Sequence, residues 1–125
     1  MSAETFTPLT MPGFQAILSV RDGALELSLR GNGDMTVSAA LGKYLKEVDV
    51  RCQREHVKVL EVKLVDLYFL SSSCFQAVAA WVLSIAARPL QTRYTVKFET
   101  HSAQSWQKRS LEAIRRVAPT IAVVV

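Results

Sequence analysis

The residues best equipped for chemistry are three consecutive hydroxyls, Ser71, Ser72 and Ser73, followed by the thiol of Cys74 and by Phe75. They come directly after the apolar run Leu67-Tyr68-Phe69-Leu70. Beyond them Phe75, Val78, Ala79, Val82, Ile85 and Ala86 recur at the spacing of a helical stripe. A buried strand therefore ends in hydroxyls where a helix starts. Unpaired amide N–H groups and the positive end of the helix dipole meet at such a point, and they stabilise an exposed anion by roughly 0.3–1 kcal/mol. A phosphate on a serine there finds N–H partners for its oxygens and places nearly two negative charges on a surface that was neutral. The pattern predicts a switch. The structural alternative is capping plus a neutral docking surface, since one N-cap hydroxyl that accepts a helical N–H contributes about 1 kcal/mol.

Other chemistry is poorly supported. As a hydrolytic nucleophile Ser72 lacks a Gly-x-Ser-x-Gly elbow, and His56 and His101 stand in no triad order, so the chain is read as non-catalytic. Cys52 and Cys74 form no Cys-x-x-Cys pair and lie far from a histidine cluster, so neither a metal nor a cofactor is expected. With no secretory signal before them, they read as free thiols in a reducing cytoplasm. Cys52, between Arg51 and Arg54, is expected at the surface.

Positioning the hydroxyls takes a sheet and helices. A chain of 125 residues that is 50% apolar can build one domain around one core. With 8% aromatic residues, 5 Gly and 4 Pro, it is neither low-complexity nor collagen-like. Its apolar runs fall far short of the ~20 residues that cross a bilayer, so no direct membrane insertion is expected. Residues 1–13 carry prolines without periodicity and read as a flexible N-terminal arm; residues 14–125 read as a single domain. Residues 14–20 and 24–30 flank Asp22-Gly23, a strong hairpin signal, and Leu25, Leu27 and Leu29 alternate with Glu26, Ser28 and Arg30. A helix follows, with Ala40, Leu41, Tyr44, Leu45 and Val48 on one stripe and Asp34 or Thr36 as its cap. The run at 57–70 is apolar on both faces and reads as a central strand covered on two sides. After the serine helix come a strand at 94–99, a helix at 102–117 and a strand at 121–125. Helical crossovers return the chain parallel, so the class is α/β: a mixed five-stranded sheet with about three helices, a hairpin followed by βαβ crossovers.

Fifteen Lys and Arg against eleven Asp and Glu leave +4, and the basic residues are scattered except on the last helix, so no nucleic acid is expected as a partner. There Lys108, Arg109, Arg115 and Arg116 make a basic face opposite Trp106, Ala113, Ile114 and Val117. Such a face is either solvated or attracts an acidic or phosphate-rich partner. Trp81 and Trp106 read as core or rim packing.

The serine segment resembles the STAS domain family, found in bacterial anti-sigma factor antagonists and in sulfate transporter tails. There a hydrophobic strand runs into Asp-Ser-Ser-Gly and an apolar residue, and the first serine is phosphorylated in antagonist members. In Phe69-Leu70-Ser71-Ser72-Ser73-Cys74-Phe75, Ser71 stands at the Asp, Ser72 at the phosphoacceptor, Ser73 at the second serine and Cys74 at the Gly. Gly31-Asn32-Gly33-Asp34 is similar to the family's Gly-Glu-Leu-Asp, and the resemblance spans residues 14–125 in element order.

The resemblance implies a regulatory protein-interaction module of bacterial transcription signalling, docking a serine kinase or anti-sigma factor through the start of its second helix. It makes Ser72 the phosphorylation candidate, with Ser71 and Ser73 as alternatives. Asp34, Ser71, Ser72, Ser73, Cys74, Phe75 and Lys63 become the partner-binding candidates. Lys63 stands where the family often has Asn or Asp; its ammonium either meets a phosphate on Ser72 or, the favoured reading, pairs with Asp66 or Glu61. The second reading is a constitutive scaffold without phosphorylation, like the STAS-like accessory subunits of lipid-transport ATPases. Apolar exposure on the second helix would permit a homodimer.

Overall fold

The Asp22-Gly23 hairpin is the axis of the sheet. Both turn residues have positive φ, 52° and 79°, the backbone of a turn whose twist matches that of the flanking strands. The structure, a computed structural model, describes residues 6–125. Strand β1 (Leu9–Met11) pairs antiparallel with β2 (Phe14–Arg21), which pairs antiparallel with β3 (Ala24–Gly33). Gly31 has φ +89°, and a Cβ there would stand 2.1 Å from the carbonyl oxygen of Gly13, so only glycine lets β3 pass beneath the β1–β2 turn.

After β3 come α1 (Ser38–Arg54), β4 (Val59–Lys63), β5 (Leu67–Leu70), α2 (Ser72–Ala86), a 3-10 turn (Leu90–Thr92), β6 (Thr95–Glu99), α3 (Trp106–Val117) and β7 (Ala122–Val124). The strand order is β1-β2-β3-β4-β6-β7, with β5 pairing β3 beyond the end of β4. From β3 to β7 all pairs are parallel, as helical crossovers require. The expected mixed α/β sheet with three helices is present.

The sheet has seven strands rather than five. One extra strand, β1, falls inside the expected arm: Leu9 and Met11 pack against the core, so this part of the arm is a sheet edge, while residues 1–5 lie outside the described residues. The other arises because the run at 57–70 breaks at residues 64–66 into β4 and β5. The break also corrects the expected two-sided cover. Within β4, Leu60 and Val62 are buried beneath the helices, whereas Val59, Glu61 and Lys63 lie on an open face. Taken as one strand, residues 57–70 show apolar side chains on both faces because the run joins two strands of different register.

Three further corrections concern the helices. Residue 52 continues the α1 stripe of Leu41, Leu45 and Val48 toward the sheet, so Cys52 is fully buried rather than exposed, and burial pushes its thiol up to about 12. The N-cap of α1 is Val37, without a side-chain cap. In α3 the buried side chains are Gln107, Leu111 and Ile114, while Ala113 and Val117 face out; the helix is rotated to bring Gln107 inside. At the far end of α2, Arg88 bonds both oxygens of Asp49 at 2.5 and 2.9 Å, and Tyr94 donates to the same carboxylate at 2.7 Å, tying α1, α2 and β6 together. Among the described residues no helix is long and apolar enough to cross a membrane.

Candidate functional site

The three hydroxyls at the start of α2 have different fates. Ser71 is the N-cap in extended conformation (φ −64°, ψ 161°), and its Oγ accepts a hydrogen bond from the Cys74 backbone N–H at 3.2 Å. Its own N–H donates to Gly33 O at 2.7 Å, fastening the helix start to the end of β3. Ser73 is half-buried, with its hydroxyl 3.2 Å from that of Ser71. Ser72 is the first residue of α2; it is exposed, and its hydroxyl makes no hydrogen bond among the described residues. No acidic residue occupies the first turn of α2, though the charge of Asp34 reaches Cys74 within it.

Cys74 is fully buried, and its Sγ donates to the carbonyl oxygen of Asp34 at 3.2 Å. Burial raises this thiol's pKa above the ordinary value. The thiol thus joins α2 to the loop that leaves β3. In that loop the Asp34 carboxylate accepts from the Thr36 backbone N–H at 2.9 Å and from the Thr36 hydroxyl. Asp34 therefore organises the turn that precedes α1 rather than capping the helix itself. Gly33 is packed tightly here, since a Cβ would lie 3.0 Å from Leu70 Cδ1 and 3.6 Å from Cys74 Sγ. Phe75 lines a narrow apolar crevice with Leu70, Trp106 and Ser110. Asp34, the three serines, Cys74 and Phe75 are accordingly brought to one end of the sheet.

Lys63 is not among them. It pairs in register with Ser28, five residues before Gly33 on β3, which places it about 17 Å down the strand. Its ammonium lies 2.6 Å from Glu99, 3.5 Å from Glu61 and 4.0 Å from Glu26. The expected Glu61 is thus one partner, but the nearest is Glu99, and Asp66 takes no part. Glu99 faces Lys63 across the β4–β6 pairing, a neighbour that local sequence spacing does not show.

The sequence reading missed three exposed apolar side chains at this end. The β3–β5 register shifts between Gly31 and Asn32, so that Gly31 pairs with Leu67 and Asn32 with Phe69. Tyr68 is the extra residue of this bulge, and both aromatics point outward, 55% and 50% exposed, where regular alternation would bury one of them. Met35, just after Asp34, is 74% exposed. His56 and His101 are exposed and far along the chain from the serines, and the His101 Nδ1 accepts from the Ala103 N–H. No cluster of His, Cys, Asp and Glu suited to a metal occurs among the described residues.

No family model matches the sequence, and no curated protein matches it. Among solved structures, the crystal structure of an anti-sigma factor antagonist from Mycobacterium paratuberculosis aligns with a TM-score of 0.60. The chain has the fold of an anti-sigma factor antagonist. The alignment covers 92% of this chain and 90% of that one, at 19% identity. The likeness to the antagonist is therefore one of architecture, and it bears out the fold that the STAS resemblance implies.

Proposed function

We propose that the chain is a regulatory docking module of the antagonist type, which engages a serine kinase or anti-sigma factor through the Asp34 loop and the first turn of α2. The observation that carries this reading is the position of Ser72: exposed, unbonded, and first in a helix whose cap is supplied by its neighbour. Ser71 is spent on capping and Ser73 is half-buried against it, so Ser72 is the hydroxyl open to a kinase. A phosphate there brings nearly two charges to an end of the sheet that also exposes Met35, Tyr68 and Phe69. Burying that charge against an apolar or acidic partner costs more than the lost contacts, so modification releases the partner. The role is bacterial, cytoplasmic and in the control of transcription.

The test is incubation with ATP and a serine kinase of the anti-sigma factor type, followed by intact mass measurement. One added phosphate is expected in the wild type and in Ser71→Ala and Ser73→Ala, and none in Ser72→Ala. No added phosphate in the wild type would overturn the switch. Ser71 in place of the family's carboxylate favours the second reading, a constitutive scaffold that uses the same surface unmodified.

A further inference from the structure

The two hairpins of the sheet are closed by turns of opposite character. Between β2 and β3, Asp22 and Gly23 both have positive φ, so that turn follows the twist of its strands. Between β1 and β2, Met11 pairs with Phe14 and leaves Pro12 and Gly13 as the two turn residues. The proline ring holds φ at about −65°, which bars the type I′ and II′ turns, since both need positive φ at the first position. With Gly13 at φ +77° the turn is of type II. Such a turn splays the strands of a two-residue hairpin. The β1–β2 connection is therefore short and opposes the twist of the strands it joins, and a hinge of that kind favours exchange of an element between copies.

The contacts that seat residues 6–11 lie on β2, on α1 and in the core beneath them. The three residues of β1 pair in register with Phe14, Gln15 and Ala16, while Leu9 and Met11 pack against the core. Ahead of them the ring of Phe6 stands edge-on to that of Tyr44, with centroids 6.0 Å apart, and the Arg51 guanidinium lies 5.7 Å from the Phe6 centroid. Tyr44 and Arg51 both belong to α1. Each of these contacts can be made equally by the same segment of another chain. The far side of the hinge is fixed, because the Asn32 N–H donates to the Gly13 carbonyl at 2.7 Å and a Cβ on Gly31 would collide with that oxygen. Opening therefore falls on Pro12, which is exposed.

We infer that residues 6–11 exchange between two copies of the chain, each laying its β1 on the β2 of the other and its Phe6 against the other's Tyr44 and Arg51. What this surface accepts is visible in the fold, since the chain's own segment fills it. The exchange is reciprocal, so it closes as a two-fold dimer. It replaces the type II turn by an extended hinge and keeps the contacts just described. It is independent of what docks at Ser72.

Thr10 and Gln15 face each other in the β1–β2 register, so a disulfide between cysteines at these positions reports whose β1 lies on whose β2. Cys52 and Cys74 are buried and stay out of the reaction. The double variant Thr10→Cys/Gln15→Cys, at about 1 μM, is expected to close within one chain; failure to close would contradict the register on which the inference stands. The single variants Thr10→Cys and Gln15→Cys are then mixed in urea, refolded together at about 500 μM and oxidised mildly. Exchange is expected to give the mixed-chain disulfide in about fivefold or greater excess over the two like-chain products together, whereas random collision makes the two amounts about equal. Adding Pro12→Asn to both chains, which permits the type I′ turn of an Asn-Gly hairpin, is expected to lower the mixed product about tenfold or more. Random proportions, or a mixed product unchanged by Pro12→Asn, would overturn the inference. So would a dimer detected by light scattering without excess mixed disulfide, because the copies would then meet through another face. Circular dichroism melts verify folding, and Pro12→Asp serves if Pro12→Asn does not fold.

Discussion

Ser71, Ser72 and Ser73 are chemically identical and separate only through where the helix begins: one caps, one is half-buried, one is free. Cys52 and Cys74 make the complementary case, since both are fully buried and burial raises both thiol pKa values, that of Cys52 to about 12. The thiolate is the reactive species, so neither sulfur should react at pH 8 on the timescale of a free thiol. Ellman's reagent is expected to find no fast equivalent in the native protein and two in urea. A fast equivalent without urea would contradict the packing of the helix that carries it. The burial of Cys52 was legible in the sequence as the continuation of a helical stripe; the flanking Arg51 and Arg54 pointed the other way because charge neighbours along a helix occupy different faces.

At the level of elements, the break between β4 and β5 is what allows β5 to run into the serine turn, and Gln107 closes it. This side chain is fully buried; besides its bonds to Leu64 and Leu67, its Oε1 accepts from the His101 N–H at 2.9 Å. Gln107→Ala would remove three hydrogen bonds, those to the Leu64 and Leu67 carbonyls and that from the His101 N–H, with only the Leu64 carbonyl keeping the Leu67 N–H as a second donor, at a cost of about 2–4 kcal/mol. Urea unfolding should report that loss, and the serine end of the sheet should exchange amide hydrogens faster than β2. A variant as stable as wild type would mean that water replaces the side chain. The hairpin and the three helices could be read locally, because their turn residues and stripes lie within a few positions of one another. The break could not: Gln107 lies 43 residues from Leu64, and in its own helix it looks like one more polar position. The bulge that turns Tyr68 and Phe69 outward is hidden for the same reason, since it exists only in the register with β3.

At the scale of the molecule, all three helices cover one face of the sheet, and the parallel strands show the other to solvent. The open face is stabilised by charges from adjacent strands, with Lys63 at its centre and Glu26, Glu61 and Glu99 around it. Hydrogen bonding with Glu61 and with the Lys63 ammonium holds the Glu99 carboxyl below its ordinary value of 4.5, and the Lys63 pKa is raised, first through its bond to Glu99. A carboxyl with a lower pKa folded than unfolded binds its proton more readily in the unfolded chain, so its contribution to stability is present above about pH 4.5 and is lost as pH falls through the folded value. Glu99→Gln should therefore lower stability at pH 7 and flatten the acid limb of a stability–pH curve measured by urea unfolding between about pH 2 and pH 7. The conservative change Glu26→Gln, at the longest of the three separations, should alter that limb less. If Glu99→Gln kept the wild-type slope below pH 4.5, the charge set on the open face would not be what ties this sheet's stability to protons.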